Sequence, residues 1–348
     1  MQYKLPEVLS GVNKPTLTFK SLDGTEVLVL PYGGRVLGLF APDSQDNFYW
    51  TNTALNSVES AQEFYSKDQW HNSGGDRTWL APEIDLFFPN YPARDVYFQQ
   101  RSFDPGNYKV LDKGDGFKLV NEFEVTNYRT KQKIALELTK SLGPAINPLR
   151  YEREFNSSDV QYAGYTQYTS LKIVDNVDAR VGLWNLVQMP HGGELLIPTF
   201  ARTEPMLVFG TIPSDDLVSE NNLIRYKMRQ QGEHKIAVRA VATTGRVGYV
   251  YRSNDKLSLI VRSFRVNPSG EYVDTPWEDL DDLGYSTQAC NVNSQLGMFS
   301  ELEYHIPAIG AGTGSVSCSD EAQVWAFRGS ESDIKRIARV LLGAVVEI

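Results

Sequence analysis

Alternation is the feature that most limits what this chain can become. In GFKLVNEFEV, Phe117, Leu119, Phe123 and Val125 fall on one face, and Lys118, Glu122 and Glu124 on the other. KQKIALELT repeats the pattern with Ile134, Leu136 and Leu138 inward. A period of two belongs to a half-buried antiparallel strand. TEVLVLPYGGRVLGLF gives two apolar runs broken by Pro31 and Gly33-Gly34, the pattern of a hairpin covered on both faces. EYVDT, AVRAVAT, RVGYVYRS and LSLIVRSF read as further strands. No fixed-period repeat and no low-complexity linker interrupts them. The 348 residues therefore predict one all-β domain over 1–348, a large antiparallel sandwich.

Helices are few and peripheral. SVESAQEFYS (57–66) predicts a short one, with Ser60 and Glu63 at capping-box spacing. TPWEDLDDLG (275–284) predicts another, with Thr275 as cap, Pro276 in the first position and Gly284 as stop. In SDIKRIARVLLG, Ile334, Ile337, Ala338 and Leu341 form one apolar stripe and Gly343 ends it, predicting a C-terminal helix laid on a sheet.

Charge and motif content narrow the function. A formal net charge of -9 argues against a nucleic-acid surface, which needs concentrated positive charge. No apolar stretch is long enough to span a bilayer as a helix. MQYKLPEVLS lacks the basic start and apolar run of a secretory leader, so the chain reads as soluble with its compartment open. Cys290 and Cys318 are too few for a disulfide framework and lack zinc spacing; they form one bridge or, the preferred reading, stay as two small buried residues. The P-loop, the dinucleotide glycine motif, the serine elbow and the zincin motif are all missing, and neither cofactor nor metal is expected.

Polar residues inside apolar segments mark the candidate site. WHNSGGDRTWLAPEIDLFFPN interleaves His71, Asn72, Asp76, Arg77, Glu83 and Asp85 with Trp70, Trp79, Phe87 and Phe88. Planar hydrogen-bonding groups beside aromatic rings suit a sugar, whose hydroxyls want the former and whose C–H faces want the latter. The plainer alternative is an Asp76–Arg77 ion pair bracing a loop. GLWNLVQMPHGGELLIPT begins as a strand carrying Trp184 and Gln188, turns at His191-Gly192-Gly193 and returns as a second strand. His191 could move protons there or simply sit exposed on a hairpin turn. In GMFSELEYHIPA, Phe299, Glu301, Glu303 and His305 share one strand face. Two carboxylates and an imidazole in a row are costly if buried without a purpose and unremarkable if solvated.

Together these stretches resemble the galactose mutarotase-like superfamily, which includes the aldose 1-epimerases. SGGDRTWLAPE is similar to the G-G-x-R-x-W-x-x-P-E segment of an outlying, uncharacterised branch. WNLVQMPHGGELLIPT is similar to that branch's W-N-x-x-Q-x-P-x-G-G strand pair, and FSELEYHIPA to the late glutamate-bearing strand. The resemblance spans about residues 15–325 in the family's order and implies a single antiparallel supersandwich. It also implies a mono- or oligosaccharide partner. In the epimerases a late-strand glutamate is the base on the anomeric hydroxyl and a histidine the acid on the ring oxygen. By position, Glu303 or Glu301 is the implied base, His191 or His71 the acid, and Arg77 a sugar clamp. Asp76, Asn72, Trp79, Glu83, Trp184, Gln188 and His305, from the polar and aromatic segments above, complete the expected binding set. The chain departs from the pattern in ARVGLWNL, where the epimerases carry their acid histidine and this chain has none. A polysaccharide lyase, a glycoside hydrolase or a non-catalytic sugar-binding protein on the same fold therefore stand beside the isomerase reading.

Overall fold

The computed structural model describes residues 5–112, 114–152, 155, 159–175, 178–275, 279 and 282–346. Helix α1 (Leu5–Gly11) precedes β1 (Leu17–Lys20), β2 (Glu26–Leu30) and β3 (Arg35–Phe40). Helix α2 (Val58–Ser66), β4 (Asp76–Ala81) and the short α3 (Glu83–Leu86) follow. Next come β5 (Lys109–Asp112), β6 (Phe117–Thr126), β7 (Lys133–Pro144), β8 (Gln161–Ile173), β9 (Arg180–Pro190) and β10 (Glu194–Pro198). After them lie β11 (Met206–Phe209), β12 (Leu217–Ser219), β13 (Leu223–Lys227), β14 (Gly232–Val238), β15 (Arg246–Ser253) and β16 (Lys256–Ser263). The chain ends with β17 (Thr287–Ser294), β18 (Gly297–His305), β19 (Ile309–Gly310), β20 (Ser317–Gly329) and α4 (Glu331–Leu342).

The strands form two large antiparallel sheets, as the alternation predicts. One runs β1-β2-β3-β4-β9-β18-β17-β14-β11, with β19 on the end of β9. The other runs β12-β13-β10-β15-β16-β20-β8-β7-β6-β5. Leu119, Val125, Ile134, Leu136 and Leu138 are buried between them, facing Val27, Val29 and Val36 from the β2–β3 hairpin. The outer face of that hairpin is covered too: Leu30 and Leu37 pack with Val8, Leu9 and Ala61 of α1 and α2. That second cover explains why the hairpin's apolar runs are continuous rather than alternating.

The helix ends follow capping chemistry. Ser57 caps α2, its hydroxyl accepting from the Ser60 amide at 3.2 Å, so the cap falls three residues before the Ser60–Glu63 pair. Ser330 caps α4 and Gly343 closes it at φ 66°, the left-handed conformation that suits glycine. Ile334, Ile337, Ala338 and Leu341 bury their stripe on Val250, Leu259 and Val261, on the outer face of the second sheet. The helix expected at 275–284 falls largely on residues outside those described. Cys290 and Cys318 are both free.

Three local readings change. AVRAVAT is strand only at Ala237 and Val238, the end of β14, and then turns. β9 and β10 do not form a hairpin; the His191 turn carries the chain from one sheet to the other. EYVDT is not a strand. It crosses the open face of the first sheet, where Glu271 accepts from the Ala308 amide at 2.8 Å and Asp274 from the Glu83 amide at 2.9 Å. A backbone bond at Glu271 and a side-chain bond at Asp274 thus tie down the segment instead of extending a ladder.

Candidate active site on the outer face of the first sheet

Register builds the site. Directly opposed residues of an antiparallel pair share a face, so the ladder sets side chains in rows. One row is Trp79, Trp184 and His305. The next is Arg77, Leu186, Glu303, Gln288 and Ala237. A third is Gln188, Glu301, Cys290 and Lys235. The rows look away from the second sheet, yet they are not solvated. Glu303 and His305 are each 1% exposed, Lys235 and Trp184 3%, and Glu301 7%. Glu83, Tyr97, Trp70 and Asp274 reach over them from neighbouring segments.

Glu303 is gripped by one oxygen and free at the other. Its Oε2 accepts from the Trp184 indole at 2.9 Å and pairs with the Lys235 ammonium at 3.2 Å. Its buried Oε1 has no partner. Burial raises the carboxyl to about 7, against the pull of Lys235. Lys235 lies 4.3 Å over the Trp184 ring and 3.8 Å from Glu83, and despite its burial Glu303 and Glu83 hold its pKa above the ordinary lysine value. Burial also raises Glu83, whose Oε1 accepts from the Tyr97 hydroxyl at 2.6 Å.

Glu301 takes a different part. Its Oε1 accepts from Arg77 Nη2 at 2.8 Å and from the Gln188 amide at 2.9 Å. Arg77 lies 4.2 Å over the Trp79 ring, which leaves its Nε and Nη1 buried without partners. The Trp79 indole donates to Asp104 at 2.7 Å, so this ring is a support for Arg77 and not a free platform. His305 stacks on Trp184 at 5.5 Å, and both its ring nitrogens lack a hydrogen bond. Burial lowers it to about 4, leaving a neutral imidazole at neutral pH.

The other residues expected at the site lie elsewhere. Asp76 shares β4 with Arg77, but adjacent strand residues point to opposite faces. It is fully buried between the sheets, 2.8 Å from Arg262, 3.1 Å from Lys140, and accepting from the Tyr165 hydroxyl at 2.7 Å. Burial opposes its charge, yet Arg262 and Lys140 hold its pKa below the usual value. It contacts core cations rather than the site face, and it does not pair with Arg77. His191 is on the reverse side as well, bonded at 3.0 Å to Asn291, whose own amide donates to Gln230 and Gly232.

His71 points beneath α2. Its Nε2 donates to the Lys67 carbonyl at 3.0 Å and its Nδ1 accepts from Tyr32 at 2.8 Å, so neither nitrogen is available. Asn72, next to it, is buried with both amide atoms unpartnered. The glycine pair between them and β4 has a steric cause. Gly75 has φ 72°, and a Cβ there would lie 2.2 Å from the Val36 carbonyl oxygen.

Lys235, Gln288, Asp274 and Tyr97 join the site without having been expected there. The Gln288 amide donates to Asp274 at 3.0 Å, and Asp274 lies 3.9 Å from His305. The only sequence signal for Lys235 is a lysine directly before the apolar run of EHKIAV. As for a metal, donor atoms of Cys290, Glu301 and Glu303 lie within 4.8 Å of one another. Each carboxylate already has a cation, and burial together with the two glutamates pushes the Cys290 thiol well up. A protonated thiol beside paired carboxylates is a poor metal ligand set. A cleft of about 350 Å³ is lined by Pro82, Ile84, Asp85, Arg129, Arg180, Glu271, Val273 and Thr275 among others, and none of Arg77, Lys235, Glu301, Glu303 or His305 lines it.

A model of the family of unknown function DUF6786 matches residues 6–348. The chain belongs to that family. No curated protein matches it in sequence. Among solved structures it is similar to a provisionally assigned aldose 1-epimerase of Escherichia coli K12, at 10% identity, covering 89% of this chain and 99% of that one, with a TM-score of 0.53. It also matches a galactose mutarotase related enzyme from Lactobacillus acidophilus, at 8% identity, 90% and 96% coverage and a TM-score of 0.43. The first likeness establishes the fold of this family member as galactose mutarotase-like, as the sequence resemblance implies. Among the described residues no helix is long and apolar enough to cross a membrane.

Proposed function

We propose that this DUF6786 protein binds a saccharide on the outer face of its first sheet and interconverts its anomers, with Glu303 as the base. The observation that carries this reading is the asymmetric grip on Glu303. Trp184 and Lys235 orient the carboxylate through Oε2, while Oε1 is buried and unpartnered. A carboxyl brought to about 7 can both take and return a proton near neutral pH.

In the ring-opening step Oε1 takes the anomeric hydroxyl proton, the C1–ring oxygen bond breaks and C1 becomes a carbonyl. The ring oxygen takes a proton from Glu83, whose carboxyl burial raises and which lies 3.8 Å from Lys235. Rotation about the C1–C2 bond and the reverse transfers close the ring on the other face. Glu83 thus takes the acid role expected of His191 or His71. His305, neutral, hydrogen-bonds a sugar hydroxyl. Arg77, with Nε and Nη1 unpaired, holds another.

The test is NMR exchange spectroscopy of anomer interconversion across a panel of aldoses, with oligosaccharide and polyuronate cleavage followed in parallel. Faster anomer exchange with no cleavage supports the reading. Cleavage, or sugar binding without faster exchange, overturns it.

A further inference from the structure

Tyr97 reaches the site from an irregular stretch: residues 87–108 are all described, and none lies in a strand or helix. Its ring stacks on Phe87 at 5.1 Å and meets Phe88 edge-on at 5.3 Å. The chain is pinned just after it. The Phe98 amide donates to the Phe87 carbonyl at 2.8 Å, and the Gln100 side chain donates to the Leu86 and Thr126 carbonyls, each at 2.9 Å. Phenylalanine would satisfy all of this packing. The phenol adds one contact, donating to Glu83 Oε1 at 2.6 Å.

That contact changes in character along the reaction proposed above. Glu83 enters ring opening as a neutral carboxyl and leaves it as a carboxylate. A hydroxyl bonded to a carboxylate makes a charge-assisted bond, roughly twice as strong as one to a neutral group. A contact that strengthens as the proton leaves lowers the barrier, whereas one of constant strength does not. With Oε1 held by the phenol, the transferable proton sits on Oε2, the oxygen 3.8 Å from Lys235. Around Glu83 stand Lys235 from β14, Asp274 from the 271–275 segment, and Glu301 and Glu303 from β18, with Arg77 from β4 facing Tyr97. Burial raises the Glu83 carboxyl most. Asp274 and Glu301 add to that, and Lys235 and the Tyr97 bond oppose it.

We propose that Tyr97 is a positioning residue for the acid step: its hydroxyl holds Glu83 Oε1, directs the proton to Oε2 and stabilises the carboxylate left behind. The Oε2–H bond breaks with its electrons left on Glu83, and the proton bonds to the ring oxygen through the pair released from C1. The phenol keeps its own proton throughout. This rests on the anomer-exchange reading above and adds a residue to it.

The experiment measures kcat and KM for anomer exchange across pH, with the aldose that the native chain turns over fastest. Tyr97→Phe deletes one hydroxyl and keeps the ring contacts to Phe87 and Phe88. It should lower kcat about tenfold with KM within about twofold, the scale of one charge-assisted hydrogen bond made in the transition state. Glu83 also loses a partner that favours its charged form, so it holds its proton to higher pH. The limb at which kcat falls as Glu83 deprotonates should therefore move upward. In a Glu83→Gln background the same Tyr97→Phe change should cost about twofold or less, because Tyr97 acts through Glu83. An unchanged kcat and limb, or an equal loss in both backgrounds, would overturn the role of Tyr97 and leave anomer exchange standing. No acceleration by the native chain with any aldose would overturn both.

Discussion

Lys235 and Glu303 face each other at 3.2 Å, the ammonium over the Trp184 ring and the carboxylate at its indole N–H, both all but inaccessible to water. Their effects on one another are opposed by burial, which penalises each charge, and the balance leaves Glu303 at about 7. A base at that value becomes active as pH rises through about 7, so the rate should show an acidic limb centred there. Lys235→Met removes the charge that pulls Glu303 down. The limb should move upward by about one unit or more, the scale for a charge within hydrogen-bonding distance. Lys235→Arg should restore much of the original profile. The check is kcat and kcat/KM for each variant across pH; a limb that stays in place would show that Lys235 only packs.

Three of the four histidines should separate by position. His305→Ala removes a ring at the site and should lower kcat/KM by about tenfold or more, in line with the loss of a positioned polar contact. His191→Ala, on the reverse face against Asn291, should leave kcat/KM within about twofold. The same small effect is expected for His71→Gln. Steady-state kinetics on the three variants decides this; a large loss for His191→Ala with an unchanged fold would move the acid role to that residue.

Asp76 is predicted to govern stability. Asp76→Asn leaves Lys140 and Arg262 as buried cations without their shared carboxylate, and should cost about 3–5 kcal/mol. The folded pKa of Asp76 lies below its ordinary value of 3.8, so its contribution is complete above that pH and lost as pH falls through the folded pKa. Denaturant unfolding at neutral pH, where the asparagine variant should show its full loss, tests this. A loss under about 1 kcal/mol would contradict the role.

The strand phases were readable because the chemistry of alternation is local. Phe299, Glu301, Glu303 and His305 share a face for the same reason that Ser300, Leu302 and Tyr304 share the other, and no tertiary contact is needed to say so. The same rule separates Asp76 from Arg77. What alternation cannot supply is the cover. Burial of the Glu301–His305 face depends on Glu83, Tyr97 and Asp274, which arrive from segments far apart in sequence. His191 was misplaced because it sits in the turn where β9 ends, and the phase of a strand says nothing beyond its last residue. Lys235 stayed hidden because one lysine in an apolar strand is also what a solvated edge produces. Its meaning comes from Glu303 and Glu83, both distant along the chain.

The most direct test of the central claim is the anomer-exchange rate of a bound aldose with the native chain and with Glu303→Gln, measured by NMR at pH about 7.5. The amide keeps the shape of the side chain but cannot take the anomeric proton. The account predicts exchange well above the spontaneous rate for the native protein and a fall of about 10²-fold or more for the variant, with sugar binding retained. Equal acceleration by both proteins would contradict it.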